Sequence, residues 1–271
     1  MGNLLSDAEI ATYRRDGYLV PRFALRGDEL TKLQAMTERL LANNPHITDG
    51  TIGSPHLVNG KGSQNVVTES GWLDVARHPK ILDMMEQVVG LDLVLWTSTM
   101  FHKAPEIGPA TPWHRDGVFY PIEPLATTTV WIAVYESTLE NACLRVIPGS
   151  HRAQQVGHHV TGHWSERAGG GAIAPEEIDE AQAVDVELKP GQMVIFDIYT
   201  AHGSRPNIGR RPRAGYAVRF FPATSHYDHL ASDEDYKVAG GVRNRELILV
   251  RGRDRAGNRF GPVDERALVA P

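Results

Sequence analysis

Gln192-Met193-Val194-Ile195-Phe196-Asp197-Ile198-Tyr199-Thr200-Ala201-His202 is a run of apolar and β-branched side chains that closes on an imidazole. With Gly191 before it and Gly203 after it, the run reads as a strand over Gln192 to Thr200. Side chains alternate across a strand, which predicts Val194, Phe196, Ile198 and Thr200 on one face, with His202 at the tip of that face. An apolar wall leading to one polar group is the surrounding that an oxygen-activating metal needs.

Working outward, five further segments have the same character: Leu91 to Lys103, Thr127 to Tyr135, Cys143 to Ile147, Ala183 to Leu188 and Ala214 to Phe221. They are short, rich in Val, Ile, Thr and aromatic residues, and separated by Gly, Pro and Asn. The first third of the chain differs. Ser6-Asp7-Ala8-Glu9 is a capping box that starts a helix over residues 6–16, with Leu5 and Ile10 as its hydrophobic staple. Leu30, Leu33, Met36, Leu40 and Leu41 recur at helical spacing over Asp28 to Asn43. Pro79 to Val89 carries proline in its first turn and Gly90 just past its end. Residues 46–65 are punctuated as a loop. The expected architecture is one domain over residues 1–271, mainly β with flanking helices: a helical part over 1–90, a barrel or double-sheet jelly roll over about 91–225, and an extension over 226–271.

Composition excludes several function classes. The 271 residues are 41% hydrophobic and 23% charged, the profile of an ordinary globular chain. A formal charge of −5 gives no basic footprint, so nucleic acid is not expected as a partner. No apolar run is long enough to span a bilayer, and no basic-then-apolar leader opens the chain. Met1-Gly2-Asn3-Leu4-Leu5-Ser6 matches a loose myristoylation pattern, but the capping box accounts for the same residues. A lone Cys143 fits a reducing cytoplasm.

His114-Arg115-Asp116 adds the chemistry. Residues i and i+2 share a strand face, so His114 and Asp116 can address one ion with Arg115 turned away. Two imidazoles and one carboxylate, with coordination positions left open, suit a non-haem Fe(II) centre. The triplet alone is weak, since His226-Tyr227-Asp228 repeats it, with His229 too near to be a third ligand on a facing strand. His158, His159 and His163 have zinc-like spacing but no cysteine partners. Pro148-Gly149-Ser150-His151 reads as a tight turn, and Arg251-Gly252-Arg253-Asp254-Arg255 as a solvated one.

Three stretches together carry a resemblance: Trp113 to Gly117, Asn141 to His151, and His202 to Asn207 with Arg210 to Tyr216. In that order and at that spacing they are similar to the phytanoyl-CoA dioxygenase family of Fe(II)/2-oxoglutarate oxygenases, from about Ser6 to about His229. The resemblance implies a double-stranded β-helix (jelly-roll, cupin-like) core, with Fe(II), 2-oxoglutarate and O2 as cofactor and cosubstrates. By position it implies His114, Asp116 and His202 as metal ligands, and Arg213, eleven residues beyond His202, as the clamp on the far carboxylate of 2-oxoglutarate. A planar, permanently charged guanidinium suits that task. Ser204, Trp131 and Thr129 are expected to attend the same cosubstrate.

The implied reaction is hydroxylation of a C–H bond in a small molecule, with release of succinate and CO2. Asp116 stands where related halogenases have a small residue, which favours hydroxylation; desaturation, epimerisation or cyclisation would use the same ligands. Candidate pocket residues are Phe119, Tyr120, Asn141, Arg145, Lys61, Lys103 and His102, and a small anionic or zwitterionic substrate is expected. Two rivals are a non-catalytic jelly-roll binding protein and a metal enzyme that uses no 2-oxoglutarate. The chain departs from the family at Ala142, where glycine is common, and in its histidine- and glycine-bearing loop over Val156 to Ala174.

Overall fold

The computed structural model describes residues 4–58, 66–155, 159–160, 172–232 and 242–261. Four α-helices fall in the first third of the chain, interleaved with its first two strands: α1 (Asp7–Asp16), α2 (Asp28–Asn43), α3 (Gly71–Ala76) and α4 (Pro79–Val88). The early strands are β1 (Tyr18–Leu19), β2 (Thr51–Gly53), β3 (Leu93–Lys103), β4 (Thr111–His114), β5 (Ile122–Glu123), β6 (Thr128–Ala133), β7 (Leu144–Val146) and β8 (His159–Val160). The later ones are β9 (Ala172–Ile173), β10 (Val184–Val186), β11 (Met193–Asp197), β12 (His202–Ser204), β13 (Arg213–Pro222), β14 (His226–Tyr227) and β15 (Ile248–Arg251).

Two antiparallel sheets form a jelly roll. The larger runs β1-β11-β6-β13-β3-β15, and β2 pairs with the other end of the β3 edge that β15 occupies. The smaller runs β10-β7-β12-β4. Alternation explains how the larger sheet is covered on both faces. Val130, Ile132, Met193, Ile195, Tyr216 and Val218 pack with helical residues such as Leu33, Met36, Trp72, Ile81 and Met85. Trp131, Ala133, Val194, Phe196 and Ala217 face the other way, against Leu144, Val146 and Val186 of the smaller sheet.

The helical padding is pinned by local chemistry. Ser6 and Glu9 cap α1 reciprocally, and Gly17 ends it at φ 78°, its N–H donating to the Tyr13 carbonyl at 2.8 Å. The sequence reading passed over α3, whose Trp72 is fully buried and lies 4.9 Å from the Tyr216 ring, while the Tyr216 hydroxyl donates to the Trp72 carbonyl. The run Arg251 to Arg255 is largely exposed, as expected of a turn, and two of its arginines also dock it to the fold. Arg251 pairs with Asp83 at 2.8 Å and Glu86 at 2.7 Å, and Arg255 with Asp92 at 2.7 Å.

The strand leading to His202 is the main correction. β11 stops at Asp197, because its carboxylate accepts the Tyr199 N–H two residues on and the Thr200 N–H closes onto the Asp197 carbonyl. The Thr200 hydroxyl then donates to the Gly17 carbonyl at 2.8 Å. This corner moves the chain from the larger sheet to the smaller one, so His202 begins β12 instead of capping β11. Val194 and Phe196 remain on the inter-sheet face, while Ile198 joins a separate cluster with Trp96 and Tyr120.

Candidate metal centre

His202 and His114 are cross-strand partners in the smaller sheet, with ring centroids 4.1 Å apart. Asp116 follows where β4 gives way to a 3-10 turn over Asp116–Phe119. One ligand atom from each of the three lies within 4.8 Å of the others, and all three residues are buried. Both imidazoles are held in the same way. His114 Nδ1 bonds the Pro112 carbonyl and His202 Nδ1 bonds the Thr200 carbonyl, each at 2.9 Å and each two residues back along the chain. A carbonyl only accepts, so each Nδ1 carries a proton and each Nε2 is left facing the site. Those Nε2 atoms face one carboxylate oxygen, Asp116 Oδ1, at 3.5 and 3.7 Å.

The other oxygen, Asp116 Oδ2, is already in use. It accepts from Arg219 Nε at 3.1 Å and from the Thr129 hydroxyl at 3.4 Å. Burial would raise the Asp116 pKa, but the Arg219 guanidinium and the two imidazoles hold it well below the usual carboxylate range. Burial, reinforced by His114, pushes His202 down to about 3, which keeps it a neutral donor. Two imidazole nitrogens and one carboxylate oxygen on one side of a point are a donor set for a divalent metal. The His226 and Asp228 copy of the motif forms no such cluster among the described residues; His226 Nδ1 bonds the Ala256 carbonyl instead. His158 and His163 lie outside the described residues.

A cavity of about 200 Å³ opens at the three ligands. One wall is β13, where Arg213, Gly215, Ala217 and Arg219 alternate with Ala214, Tyr216, Val218 and Phe220, which face the helices. Arg213 is buried with the guanidinium 4.8 Å from the centre of the Trp131 ring. A Cβ on Gly215 would meet Trp131 Cζ2 at 1.8 Å, so the missing side chain gives the indole room to lie against β13. Burial lowers the Arg213 pKa to about 10, leaving it charged at neutral pH. Its Nε has no hydrogen-bond partner and no carboxylate pairs with it among the described residues. A buried, charged donor in that state fits an incoming carboxylate.

The other expected residues divide. Ser204, Lys103, His102, Tyr120 and Trp131 border the cavity. The Lys103 ammonium donates to the Arg205 carbonyl at 2.6 Å. Thr129 touches the site through Asp116 and does not border the cavity. Asn141 and Arg145 are corrections. Asn141 accepts the Thr138 N–H and donates to the carbonyls of Glu136 and Pro212, pinning the turn that contains Ala142 at φ 67°. Arg145 pairs with Glu180 at 2.7 Å and Asp185 at 3.3 Å and stacks on Trp113. Lys61 lies outside the described residues, as does the side chain of Phe119. Sequence reasoning missed Arg219, Gly215, Trp96 and Arg245, all of which belong to the cavity wall or shape it. The alternation in Arg213-x-Gly215-x-Ala217-x-Arg219 was a readable signal for the first two.

The sequence model of the family described as "Phytanoyl-CoA dioxygenase (PhyH)" matches residues 13–215. A phytanoyl-CoA dioxygenase domain-containing protein 1 homolog of Dictyostelium discoideum is 32% identical over 120 residues, 44% of this chain and 43% of that one. The chain thus aligns with less than half the length of that relative. The 1-deoxypentalenic acid 11-beta-hydroxylase of Streptomyces exfoliatus is 27% identical over 240 residues, 82% of this chain and 84% of the relative. Among solved structures, the apo form of the non-heme monooxygenase ThoJ superposes with a TM-score of 0.73 at 25% identity, covering 94% of this chain and 88% of that one. The family match spans the last turn of α1, the smaller sheet, most strands of the larger one and all three metal-facing residues, and the chain belongs to the phytanoyl-CoA dioxygenase family.

Proposed function

We propose that this protein is an Fe(II)- and 2-oxoglutarate-dependent dioxygenase that hydroxylates a C–H bond of a small molecule and releases succinate and CO2. The observation that carries the reading is the pairing of a buried His, His, Asp set with a buried guanidinium that lacks a carboxylate partner among the described residues. A binding protein has no need of either, and a metal enzyme without 2-oxoglutarate has no need of Arg213.

In this reading His114 and His202 donate through Nε2 and Asp116 through Oδ1, while Arg219 occupies Oδ2 and favours single-oxygen ligation. Arg213 pairs with the distal carboxylate of 2-oxoglutarate, and Ser204, two residues along β12 from His202, supports it with a hydroxyl. Trp131 closes the wall behind Arg213 and excludes water from that ion pair, which strengthens it. Iron, 2-oxoglutarate and O2 together supply the oxidation: cosubstrate decarboxylation coupled to C–H hydroxylation. Asp116 fills the ligand position that a halide would need, which supports hydroxylation. Family membership and the hydroxylase relative support a small-molecule substrate.

Anaerobic titration of Fe(II) and 2-oxoglutarate tests the reading. A weak visible charge-transfer band is expected in the wild type and is lost in His114→Ala and Arg213→Met. The reading fails if no band forms and aerobic incubation yields no succinate.

A further inference from the structure

The cavity has a second polar end, away from Arg213. β13 and β3 pair Arg213 with Lys103 at one end and Arg219 with Thr97 at the other. Six residues of antiparallel strand separate these pairs, roughly 20 Å of backbone. At the Thr97 end the ladder slips: Arg219 pairs with Thr97 and Phe220 with Leu95, so Trp96 is an extra residue on β3. A bulge of this kind re-aims a side chain. Trp96 and Thr97 both border the cavity, although simple alternation would put them on opposite faces.

The re-aimed indole is 3% exposed, and its Nε1–H has no hydrogen-bond partner among the described residues. An unmade hydrogen bond at a buried donor is costly, so the position asks for an acceptor. Arg245 lies beside it, its guanidinium 5.4 Å from the indole centroid. Arg245 is 1% exposed, borders the same cavity, and donates to the hydroxyls of Ser54 at 2.6 Å and Thr97 at 3.2 Å. It arrives from the segment before β15, beyond the residues that match the family. The only carboxylate on the described cavity wall is Asp116, which Arg219 already holds.

We infer that Trp96 and Arg245 form the substrate-recognising end of the cavity and receive a carboxylate of the substrate, placing its carbon skeleton between Arg245 and the metal-facing triad. The inference rests on the oxygenase reading for the position of the reacting carbon. It assigns the substrate class: a small carboxylic acid whose acid group is distinct from those of 2-oxoglutarate. The Trp96 N–H and the guanidinium both donate, so a carboxylate is preferred over its primary amide.

The test uses a panel of small aliphatic, alicyclic, aromatic and N-acylated amino-acid carboxylic acids, each with its matching primary amide. Binding is read by calorimetric titration of the full chain and stimulation by succinate release with Fe(II) and 2-oxoglutarate. At least one acid is expected to stimulate succinate release and to bind about tenfold or more tighter than its amide. That acid-over-amide ratio is expected to collapse towards one in Arg245→Met and to fall severalfold in Trp96→Phe, which keeps an aromatic ring at the position and removes the donor. The ratio compares two ligands on one protein, so a general loss of stability cannot imitate its collapse. The inference is overturned if amides match acids on the wild type, if no acid binds, or if the preference survives in Trp96→Phe and in Arg245→Met. Absence of the charge-transfer band and of any succinate in the wild type would instead sink the oxygenase reading, and the calorimetric ratio would still report on Trp96 and Arg245.

Discussion

Arg219→Met removes the only guanidinium that, among the described residues, bonds the metal-facing carboxylate. Both side chains are nearly dry, at 8% and 6% exposure, so Asp116 cannot recover the lost partner from solvent. Breaking a buried pair by removing one member costs about 3–5 kcal/mol. The Thr129 hydroxyl and the facing imidazoles remain, which places the cost near the lower end, at about 3 kcal/mol. For a chain of this length that corresponds to a fall in Tm of roughly 6 °C in metal-free protein. A divalent cation at the site supplies positive charge to the same carboxylate, so Zn(II) should shrink the deficit to about half, again on the order of a buried-pair energy. Differential scanning calorimetry of chelator-treated and Zn(II)-loaded protein reads both numbers. Asp116→Asn provides the control, because its side chain has no charge for Arg219 to balance. A metal-free Arg219→Met protein melting within about 1 °C of wild type would refute the argument. An equal loss in the Asp116→Asn background would refute it too, by showing that Arg219 acts elsewhere.

Gly215→Ala drives a methyl group into the Trp131 indole and should cost about 1–3 kcal/mol by overpacking; a raised KM for 2-oxoglutarate is expected with it, and an unchanged KM would show that the Trp131 position is immaterial. Arg213→Met replaces a buried cation lacking a carboxylate partner among the described residues by an apolar chain of similar length, so it should raise the Tm of metal-free protein while abolishing the charge-transfer band. A lowered Tm would mean that Arg213 serves the fold. His202 and His56 are both pushed down to about 3 by burial, so the unfolded chain binds two more protons than the folded one between pH 3 and 6.5. Stability should therefore be complete above about pH 6.5 and fall with decreasing pH, by roughly 2.5 kcal/mol per unit near pH 5.5. His56→Gln should halve that slope in metal-free denaturant titrations, and an unaltered slope would remove His56 from the account.

What could be read from the chain, and what could not, follows from the range of the interactions. The α1 cap, the α4 proline and the apolar periodicity of α2 act within a few residues, and the structure shows those helices where such signals place them. The metal-facing triad was legible because the family spacing carries it across the fold. The path into His202 was misjudged for a physical reason. Strand composition continues through Ile198 and Tyr199, yet one Asp197 side chain and a distant Gly17 carbonyl turn the backbone. Asn141 and Arg145 sit in a family motif, but their hydrogen bonds satisfy a turn and two acidic neighbours outside the cavity. Arg245 was out of reach, because its contacts with Ser54 and Thr97 span 191 and 148 residues and no local pattern reports them.

The carbonyl clasp on each imidazole has a consequence for how this site can change over time. Pro112 and Thr200 contribute backbone atoms, which every amino acid possesses, so no substitution at those two positions deletes the acceptor that orients its histidine. The nitrogen donors are thus insulated from mutational drift in the surrounding walls. The carboxylate donor is not: its orientation depends on a side chain more than a hundred residues away. Selection can rework the cavity around the two histidines freely, whereas every experiment on Asp116 must carry Arg219 with it.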